Sequence, residues 1–445
     1  NTKKTDNRKK SSLQEYATKP MLSVFLLMTS VLRVAKDLYA GSSLVNLYAK
    51  CGALDRAKAI FSHLLHRDVI CWNGLISGYA RHGHREEALS CFHQMQHESL
   101  CPNVVTFVCM LKACGSIGMS PYKGESIHAR VAVYDWPKKN VIIGNALLGM
   151  YAKWGALTKA ENAFSDIPNR DVVSWTTLIG GYTQHGHNEK AIKCLSLMQL
   201  EHISPNVVTF VCSLKACANT GALDKGIELH AEMARNGFLK KNTDIIVGTA
   251  LVDMYAKCGS LTKAYEVFCL LPSHDVTSWN SLITGHLWHG HNKESLNLFE
   301  QMRRDNVSPD VITFVCILKA CANLGELEKG EEIHAEIHRK GYLRDSNTSV
   351  GNALVDLYAK CGALTKAQRV FNELPLRDIV SWTILMSGYV DHGHYMEALS
   401  CFAHIRNCSL PVNAITIVCA LKAYSSIGLL EKGKELHADI VEGRL

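Results

Sequence analysis

The sequence LVDMYAKCG at 251–259 defines a repeating unit, because close copies of it return at regular intervals. The copies are LVNLYAKCG at 44–52, LLGMYAKWG at 147–155 and LVDLYAKCG at 354–362. Successive copies lie 103, 104 and 103 residues apart. Self-similarity at a fixed period is the signature of a repeat protein, in which stacked units bury one another.

Each long period contains three different segments. Trp72, Trp175, Trp279 and Trp382 mark the second segment, and an LKAC or LKAY sequence starting at Leu111, Leu214, Leu318 and Leu421 marks the third. We therefore predict triplets of a short, an ordinary and a long repeat. The predicted short repeats are 38–68, 141–171, 245–275 and 348–378, the ordinary repeats are 69–103, 172–206, 276–310 and 379–413, and the long repeats are 104–140, 207–244, 311–347 and 414–445, the last of them truncated.

Each repeat has the pattern of a helical hairpin, which is clearest in the short repeat that starts at Thr348. Leu354, Leu357 and Tyr358 form one apolar stripe, and Gly362 then suits a left-handed helix end. A second helix has apolar residues from Leu364 to Phe371 at helical spacing. The sequence thus predicts an all-α fold, an α-solenoid with a right-handed superhelix of about twelve helix-turn-helix repeats.

Composition agrees with a helical chain that has a large core. Of 445 residues 47% are hydrophobic and 10 are proline, and the net charge of +7 permits a polyanionic partner without requiring one. The odd number of cysteines, 17, and the lack of a secretory signal favour a reducing compartment. The longest apolar stretch, Met21–Leu32, is too short to cross a bilayer, so no membrane partner is expected.

These repeats resemble those of the pentatricopeptide repeat (PPR) proteins, in which each repeat recognises one RNA base. Alternation of short, ordinary and long repeats is similar to the PLS subclass, found in plant organellar RNA-editing factors. The resemblance covers the chain from Leu38 onward. Residues 1–37 do not share it; they are basic at Lys3, Lys4, Arg8, Lys9 and Lys10, and we interpret them as a basic segment or a degenerate capping repeat.

The resemblance implies two base-contacting residues in each repeat, the fifth residue of the first helix and the last residue of the repeat. We call these two a recognition pair. In the short repeats the pairs are Ser42 and Asp68, Asn145 and Asp171, Thr249 and Asp275, and Asn352 and Asp378. In the ordinary repeats they are Asn73 and Asn103, Thr176 and Asn206, Asn280 and Asp310, and Thr383 and Asn413. All sixteen are small residues that can form hydrogen bonds with a base edge.

Base preferences also follow from the resemblance. It implies Thr or Ser with Asp for G, Thr with Asn for A, Asn with Asp for U, and Asn with Asn for a pyrimidine. The fifth residues of the long repeats are Val108, Val211, Val315 and Val418, which form no side-chain hydrogen bond, so we expect little recognition there. The predicted single-stranded target is 5′-GYNUANGUNUAN-3′, where Y is a pyrimidine and N any base.

A structural interpretation of the same residues remains open. Asp or Asn before a helix is a good N-cap in any protein. A purely structural cap should also occur in the long repeats, and we take their valines as a sign that the polar pairs are functional. Apolar second residues such as Ile70, Val173 and Val380 either sandwich bases, as the resemblance implies, or pack in the core.

Recurring lysines are candidates for phosphate contacts. Lys50, Lys153, Lys257 and Lys360 occur late in the first helix of the short repeats. Lys112, Lys215, Lys319 and Lys422 recur in the long repeats. Such cations would give salt-sensitive binding, although a lysine near a helix C-terminus also simply favours the helix dipole.

Three other patterns are better explained by structure than by chemistry. His-Gly-His sequences at 82–84, 185–187, 289–291 and 392–394 sit at helix-ending glycines without further ligands, so we predict turns rather than metal sites. Cysteines five apart, such as Cys316 and Cys321, suit core filling. His230-Ala231-Glu232 and His334-Ala335-Glu336 spell the HxE of zinc deaminases, but no cysteine pair follows. We expect no catalytic domain, no metal and no cofactor.

Three functions stay open at this point. The chain is the RNA-recognition module of an organellar C-to-U editing factor, with a deaminase or another editing protein acting in trans. Alternatively, it stabilises or processes a transcript by occupying it. A peptide-binding solenoid like the tetratricopeptide arrays is the third interpretation, and it leaves the eight polar pairs unexplained. The resemblance places the protein in a mitochondrion or a chloroplast.

Overall fold

The structure is a computed structural model that describes residues 38–115, 121–133, 136–238, 244–343, 348–408 and 410–443. The predicted basic segment 1–37 lies outside the described residues.

Each repeat contains two helices. The first helices are Leu38–Lys50, Val69–Arg81, Val104–Cys114, Val141–Trp154, Val172–Gln184, Val207–Thr220, Asp244–Lys257, Val276–Trp288, Val311–Leu324, Thr348–Lys360, Ile379–Asp391 and Ala414–Ile427. Second helices are Leu54–His63, Arg85–His97, Pro121–Val133, Leu157–Asp166, Asn188–Leu200, Leu223–Arg235, Leu261–Cys269, Asn292–Arg304, Leu327–Lys340, Leu364–Glu373, Tyr395–Asn407 and Leu430–Val441. One further short helix is Trp136–Lys139.

The described residues form helices and no strands, so the predicted all-α class is confirmed. The chain divides into two compact units, Asn1–Ala216 and Cys217–Leu445. Within each unit, the first helix of a repeat packs against its own second helix and against the first helix of the next repeat. This stacking of hairpins is that of an α-solenoid. Among the helices described, none is both long enough and apolar enough to cross a membrane.

The short repeat that starts at Thr348 has the predicted internal order. Leu354, Leu357 and Tyr358 are buried, as are Val370 and Phe371 of the second helix. Gly362 has a φ of +74°, in the left-handed region that favours glycine, and it ends the first helix. The helical periodicity of the sequence therefore located the core correctly.

Short and ordinary repeats differ in their second helix. That helix has 9 or 10 residues in the short repeats and 13 in the ordinary repeats. In the short repeat at 348–378, Arg377 closes the shortened helix by donating from Nε to the Phe371 carbonyl at 3.0 Å, and its guanidinium lies over the Phe371 ring. Arg67 and Arg170 make the same bond to Phe61 and Phe164.

In three of the four His-Gly-His sequences, the first histidine joins two repeats. Nε2 of His185 lies 2.8 Å from the carbonyl oxygen of Ala152, near the C-terminus of the preceding first helix. His392 makes the same contact to Ala359, and His289 to Lys257. The carbonyls of Ala152 and Ala359 also accept from the backbone N–H groups of Gly155 and Gly362, so each histidine adds a second bond at a helix end. The His-Gly-His sequences themselves form turns around left-handed glycines, as predicted.

The histidines of the HxE sequences have a structural partner as well. Nδ1 of His230 lies 2.9 Å from the Tyr255 hydroxyl, and Nδ1 of His334 lies 2.8 Å from the Tyr358 hydroxyl. His128, whose copy reads His-Ala-Arg, makes the same bond to Tyr151. The interaction therefore belongs to the contact between a long repeat and the next short repeat. No cluster of three or more metal-ligating side chains occurs in the described part of the chain.

The paired cysteines of the long repeats contribute to the core. Cys114, Cys217, Cys316 and Cys321 are buried, and Cys109 and Cys212 are half-buried. Burial raises the pKa of the Cys114 thiol to about 11 and that of the Cys321 thiol to about 12. These thiols are neutral at physiological pH, which agrees with the core-filling role that the spacing predicted.

We predict that acid weakens the long-to-short contacts. Burial holds the pKa of His128, His230 and His334 below the ordinary value of 6.5. Just below pH 6.5, the unfolded chain therefore binds more protons than the folded chain. The contribution of the neutral histidines to the free energy of unfolding is complete above pH 6.5 and is lost as the pH falls from 6.5 towards their lowered pKa values. In urea denaturation, the free energy of unfolding of His334→Gln should drop less than that of the wild type between about pH 7.5 and pH 5.5.

His97→Gln is the control for this experiment, since His97 is exposed on a second helix. It should follow the wild-type pH dependence. Equal pH dependence in His334→Gln and the wild type would refute the assignment.

Candidate nucleic-acid interface

The last residue of every recognition pair is the N-cap of the next helix. In each case a side-chain oxygen accepts a hydrogen bond from the backbone N–H of the third residue of that helix, at 2.8 to 3.1 Å. These caps are Asp68, Asn103, Asp171, Asn206, Asp275, Asp310, Asp378 and Asn413. The capping interpretation is therefore confirmed for all eight.

One part of the sequence argument was wrong. Asn140, the last residue of the first long repeat, also caps its helix and accepts from the N–H groups of Ile142 and Ile143. Caps thus occur in a long repeat too, so the presence of a cap does not distinguish the long repeats from the others.

The structure brings most recognition pairs together. Nδ2 of Asn280 donates to Oδ1 of Asp310 at 3.0 Å, and direct hydrogen bonds also join four other pairs at 3.0 to 3.5 Å. Those four are Asn73 with Asn103, Asn145 with Asp171, Asn352 with Asp378, and Thr383 with Asn413. In these pairs, the fifth residue of a first helix therefore contacts the residue that caps the first helix of the following repeat.

A third residue, which the sequence analysis missed, links the two members of a pair. The hydroxyl of Thr313, the third residue of its helix, donates to Oδ1 of Asn280 at 2.6 Å and to Oδ1 of Asp310 at 2.9 Å. We call such a side chain the bridging hydroxyl. Equivalent bridges to the fifth residue are made by Thr106, Ser174, Thr209, Ser381 and Thr416. All six are fully buried.

Three pairs lack a direct bond. Thr176 and Asn206 are connected through Thr209, whose hydroxyl lies 2.6 Å from the first and 3.0 Å from the second. In the first short repeat, the Ser42 hydroxyl donates to the Tyr39 carbonyl, and Cys71 stands where the other ordinary repeats have a hydroxyl. Burial and the neighbouring Asp68 raise the pKa of the Cys71 thiol to about 11.

The pair of Thr249 and Asp275 is not connected within the described residues. Ser278 turns its hydroxyl to the Asp275 carbonyl instead, and the buried Thr249 Oγ1 has no hydrogen-bond partner. In the sequence this pair looks like the other short-repeat pairs, but in the structure it lacks the bridge that joins most of them.

Long repeats lack both the polar fifth residue and the bridging residue. Each has valine as its fifth residue, and the third residue of the repeat that follows is Ile143, Val247 or Val350. All three are buried. In the sequence, most of the bridges correspond to Asp or Asn followed three residues later by Ser or Thr, which is a capping-box pattern.

Where a bridging hydroxyl is present, the cap and the bridge use one oxygen of the last residue and leave its other polar atom oriented. Asn413 differs, because its Nδ2 also donates to Oγ1 of Thr383 at 3.3 Å. Oδ1 of Asp310 accepts from Thr313 N–H, the Thr313 hydroxyl and Asn280. No side chain of the described residues donates to its second oxygen. In Asn103, Oδ1 is used in the same way and the amide nitrogen remains. An Asp therefore presents an acceptor, and an Asn presents a donor.

The Asp side chains of two pairs are held ionised. Partial burial opposes ionisation of Asp171, but hydrogen bonds from the Ser174 backbone, Asn145 and the Ser174 hydroxyl outweigh it, and the pKa of the carboxyl is lowered. The pKa of Asp378 is lowered for the same reasons, through Ser381 and Asn352. Each carboxylate is thus a strong acceptor at neutral pH.

Apolar second residues flank the recognition pairs. Nine of them are 47% to 64% exposed, so for these positions the core-packing interpretation was wrong. They are Ile70, Val105, Ile142, Val173, Val208, Ile246, Ile312, Val380 and Ile415.

A pocket in the N-terminal unit shows how they are arranged. It has a volume of about 400 Å³, and its wall includes Ile142 and Val173 together with Asn145 and Asp171. A flat ring in this pocket would contact two apolar side chains and one recognition pair.

The candidate lysines fall into two groups. Nζ of Lys257 lies 2.9 Å from Asp253 and also lies over the Trp288 ring, and Nζ of Lys360 lies 2.9 Å from Asp356. Lys50 and Lys153 form no ion pair with a described residue, and Lys153 lines the pocket described above. The lysines of the short repeats therefore differ in available charge.

Comparison with known proteins agrees with this architecture. A profile described as the PPR repeat family matches residues 67–116, 170–219 and 274–323. A second, described as the PPR repeat, matches 42–69, 208–238, 249–276, 312–342, 352–379 and 380–410. Together they cover about two thirds of the chain. The chain belongs to the pentatricopeptide repeat family.

Curated PPR relatives are longer than this chain. The pentatricopeptide repeat-containing protein At4g18520, chloroplastic, of Arabidopsis thaliana is 38% identical over 363 residues, which are 82% of this chain and 58% of the relative. At2g39620 of the same plant is 33% identical over 408 residues, 91% of this chain and 48% of the relative. The chain thus spans about half to three fifths of the length of these relatives.

Solved PPR structures share the fold. The PPR protein PPR10 in complex with an 18-nt psaJ RNA element superposes with a TM-score of 0.70 at 19% identity, over 90% of this chain and 60% of that chain. PPR10 from maize gives a TM-score of 0.52 at 20% identity, over 91% and 70%.

We predict that bridging hydroxyls stabilise the stack of repeats. Ser381→Ala removes bonds to Asn352 and to Asp378, whereas Ser278→Ala removes a bond within its own turn. Because both serines are fully buried, the difference isolates the bridge. Urea denaturation should show Ser381→Ala to be about 1 kcal/mol less stable than Ser278→Ala. Equal losses would mean that the bridge contributes nothing beyond an ordinary cap.

Proposed function

We propose that this PPR protein binds single-stranded RNA sequence-specifically, with one base for each short or ordinary repeat. The observation that carries the proposal is the oriented donor or acceptor atom on the capping residue of the six pairs that have a bridging hydroxyl. A buried network fixes that atom before any ligand arrives, so binding does not require the side chain to be ordered.

The chemistry of the last residue matches the central group of a base edge. G and U carry an N–H at the centre of the Watson-Crick edge, whereas A and C carry a bare nitrogen there. The carboxylate oxygen of Asp310 suits the N–H of G or U, and the amide nitrogen of Asn103 suits the bare nitrogen of A or C.

The fifth residue then separates large from small bases. Ser and Thr are shorter than Asn and leave room for a two-ring purine, whereas Asn reaches a one-ring pyrimidine. Combined with the last residue, this gives the preferences that the PPR resemblance implies. The proposed target is 5′-GYNUANGUNUAN-3′, in which every third nucleotide, N, is aligned with a long repeat and is not distinguished.

The exposed apolar second residues provide contacts with the faces of a base, in addition to the hydrogen bonds at its edge. Ile142 and Val173 line the same pocket as Asn145 and Asp171, so a base that bonds to this pair would contact both branched side chains. Such contacts have little dependence on base identity, because every base has an apolar face. The RNA bound by the structural neighbour PPR10 is consistent with this proposal.

The biological role proposed for the whole protein is recognition in organellar C-to-U editing, with a deaminase or another editing protein as partner. The alternation of short, ordinary and long repeats supports it, with the repeat boundaries given in the sequence analysis. A plant organelle is supported by the relative At4g18520, which is named chloroplastic. In plants lacking the protein, loss of editing at one cytidine in a stable transcript would support this role, and loss of the transcript itself would support binding by occupancy.

The first experiment is a titration of the chain with three fluorescent oligonucleotides at one salt concentration. They are the predicted twelve-nucleotide RNA, a scrambled RNA of equal composition and the single-stranded DNA of the same sequence. Tighter binding of the predicted RNA is expected. Equal affinity for all three would contradict sequence recognition, and absence of binding would favour a peptide-binding solenoid.

We predict that Asn280→Thr changes the base preferred at the eighth nucleotide from U to G. Asp310 still offers its acceptor, and the shorter side chain admits a purine. Each wrong base should cost about 1 to 3 kcal/mol of binding free energy. Competition binding with the four bases at that position measures the change, and an unaltered preference for U would refute the assigned register.

Asp310→Asn is expected to move the preference at the same nucleotide from U to C. Asn keeps the cap, since its amide oxygen still accepts from Thr313, but it presents a donor in place of the carboxylate oxygen. Asp305→Asn is the matched control, because it removes the same charge from an exposed position outside the pair. The same competition assay applies; a similar change in both variants would indicate an effect of net charge alone.

A further inference from the structure

Trp288 is an exposed tryptophan at the end of a first helix. It is the last residue of Val276–Trp288, in the third ordinary repeat, and it is 63% exposed. The tryptophans that mark the ordinary repeats, such as Trp279, are buried instead. The equivalent residues in the other three ordinary repeats are Arg81, Gln184 and Asp391. An aromatic ring at this place is therefore particular to one repeat and is not needed to build the fold.

Trp288 lies on the same stripe of its helix as the recognition residue Asn280. Asn280, Thr284 and Trp288 follow one another at intervals of four residues, which places side chains one above another on a helix. The pocket of the N-terminal unit shows which surface this stripe belongs to. Its wall includes Asn145 and Lys153, which have the same spacing within their own first helix. The indole therefore stands on the helix surface that carries the recognition pairs.

Neighbouring side chains hold the indole in place. Nζ of Lys257, from the first helix of the preceding short repeat, lies 5.6 Å from the centre of the Trp288 ring. Asp253 fixes this lysine at 2.9 Å, and the lysine side chain is only 18% exposed. A cation over a ring is a favourable contact that restricts the motion of the ring. The indole is thus ordered in advance and still has most of its surface open to a ligand.

The next first helix belongs to the long repeat that is aligned with the ninth nucleotide of the proposed target. This helix, Val311–Leu324, packs beside the helix of Trp288. Oγ1 of Thr284, one turn before the indole, lies 3.3 Å from Sγ of Cys316. The fifth residue of the long repeat is Val315, which offers no hydrogen bond to a base. The ninth base therefore lies next to the Trp288 repeat and has no recognition pair of its own.

We propose that the base of the ninth nucleotide stacks on Trp288. This inference rests on the proposed RNA binding. A rise of 1.5 Å per residue places Trp288 about 12 Å along the helix from Asn280. The eighth base is held there by its edge, so the base that follows it in the strand is the one available to the indole. Every base has a flat face, so such a stack adds affinity without distinguishing sequences.

The size of the exposed surface favours a base over a protein as the ligand. A stable protein interface buries on the order of 1,000 Å², far more than one side chain offers. One indole matches one base in size and shape. Aromatic rings beside cations, as Trp288 lies beside Lys257, are the usual platform for unpaired bases.

The test removes the base and the indole separately. Trp288→Gln introduces the residue that is natural at the equivalent position 184. The target RNA is compared with RNAs that lack the base at nucleotide nine or at nucleotide six. The wild type should lose about five-fold or more in affinity without the ninth base. It should lose little without the sixth base, because the long repeat aligned with that nucleotide follows Gln184.

Three variants complete the comparison. Trp288→Gln should bind the target and the RNA without the ninth base equally, with the affinity that the wild type has for the latter. Trp288→Phe keeps an aromatic ring and should still depend on the ninth base. Leu270→Gln is the control for loss of exposed apolar surface, because Leu270 is 83% exposed and follows a second helix. It should behave as the wild type.

Tryptophan fluorescence provides a readout that does not depend on affinity. A base stacked on an indole quenches its emission. With saturating target RNA, the wild type should therefore lose more emission than Trp288→Phe. With saturating RNA that lacks the ninth base, the two proteins should change equally.

The outcomes separate this inference from the proposed function. If Trp288→Gln binds the target as tightly as the wild type, the stack is refuted while sequence-specific binding stands. The stack is also refuted if the variant depends on the ninth base as strongly as the wild type, or if the wild type depends equally on the sixth and ninth bases. If the wild type does not bind the target, both proposals fail.

Discussion

The hydrogen bond between a capping Asp or Asn and the third backbone N–H of the next helix is the constraint on which the interface depends. That N–H begins a buried helix and has no partner within it, so losing the cap is costly. The same oxygen accepts from the bridging hydroxyl of the next repeat and from the fifth residue of its own repeat, as in Asp310 with Thr313 and Asn280. One stabilising bond therefore also sets the orientation of the atom offered to a base.

Repeats of different length carry different side-chain interactions. Short and ordinary repeats keep the polar network, whereas long repeats have valine or isoleucine at both ends of it, and these side chains form no hydrogen bond. The long repeats instead provide exposed lysines such as Lys112 and the histidines that bind the next tyrosine, as His334 binds Tyr358. Separate contacts to bases and to phosphates are common among nucleic-acid-binding proteins, because only base contacts distinguish sequences.

Much of this architecture follows from the sequence. Helical periodicity and the 103-residue period located the hairpins, and the glycine at 362 located a helix end. The pairing of Asn145 with Asp171 followed only from family resemblance, since spacing does not show that two residues of different helices meet. Exposure of Val173 was not predictable, because a valine at helical spacing suits a core equally well. The unpartnered hydroxyl of Thr249 and the ion pair of Lys360 depend on side-chain orientation, which the sequence does not specify.

Each recognition unit crosses a boundary between repeats. Asn280 belongs to one helix, while Asp310 and Thr313 sit at the start of the next. A repeat excised at its conventional ends would carry its fifth residue and its cap but leave the bridging hydroxyl behind. Duplication or grafting keeps these three residues together when the exchanged segment ends just after the third residue of a first helix. The exchangeable segment is therefore shifted by a few residues from the repeat that sequence comparison defines.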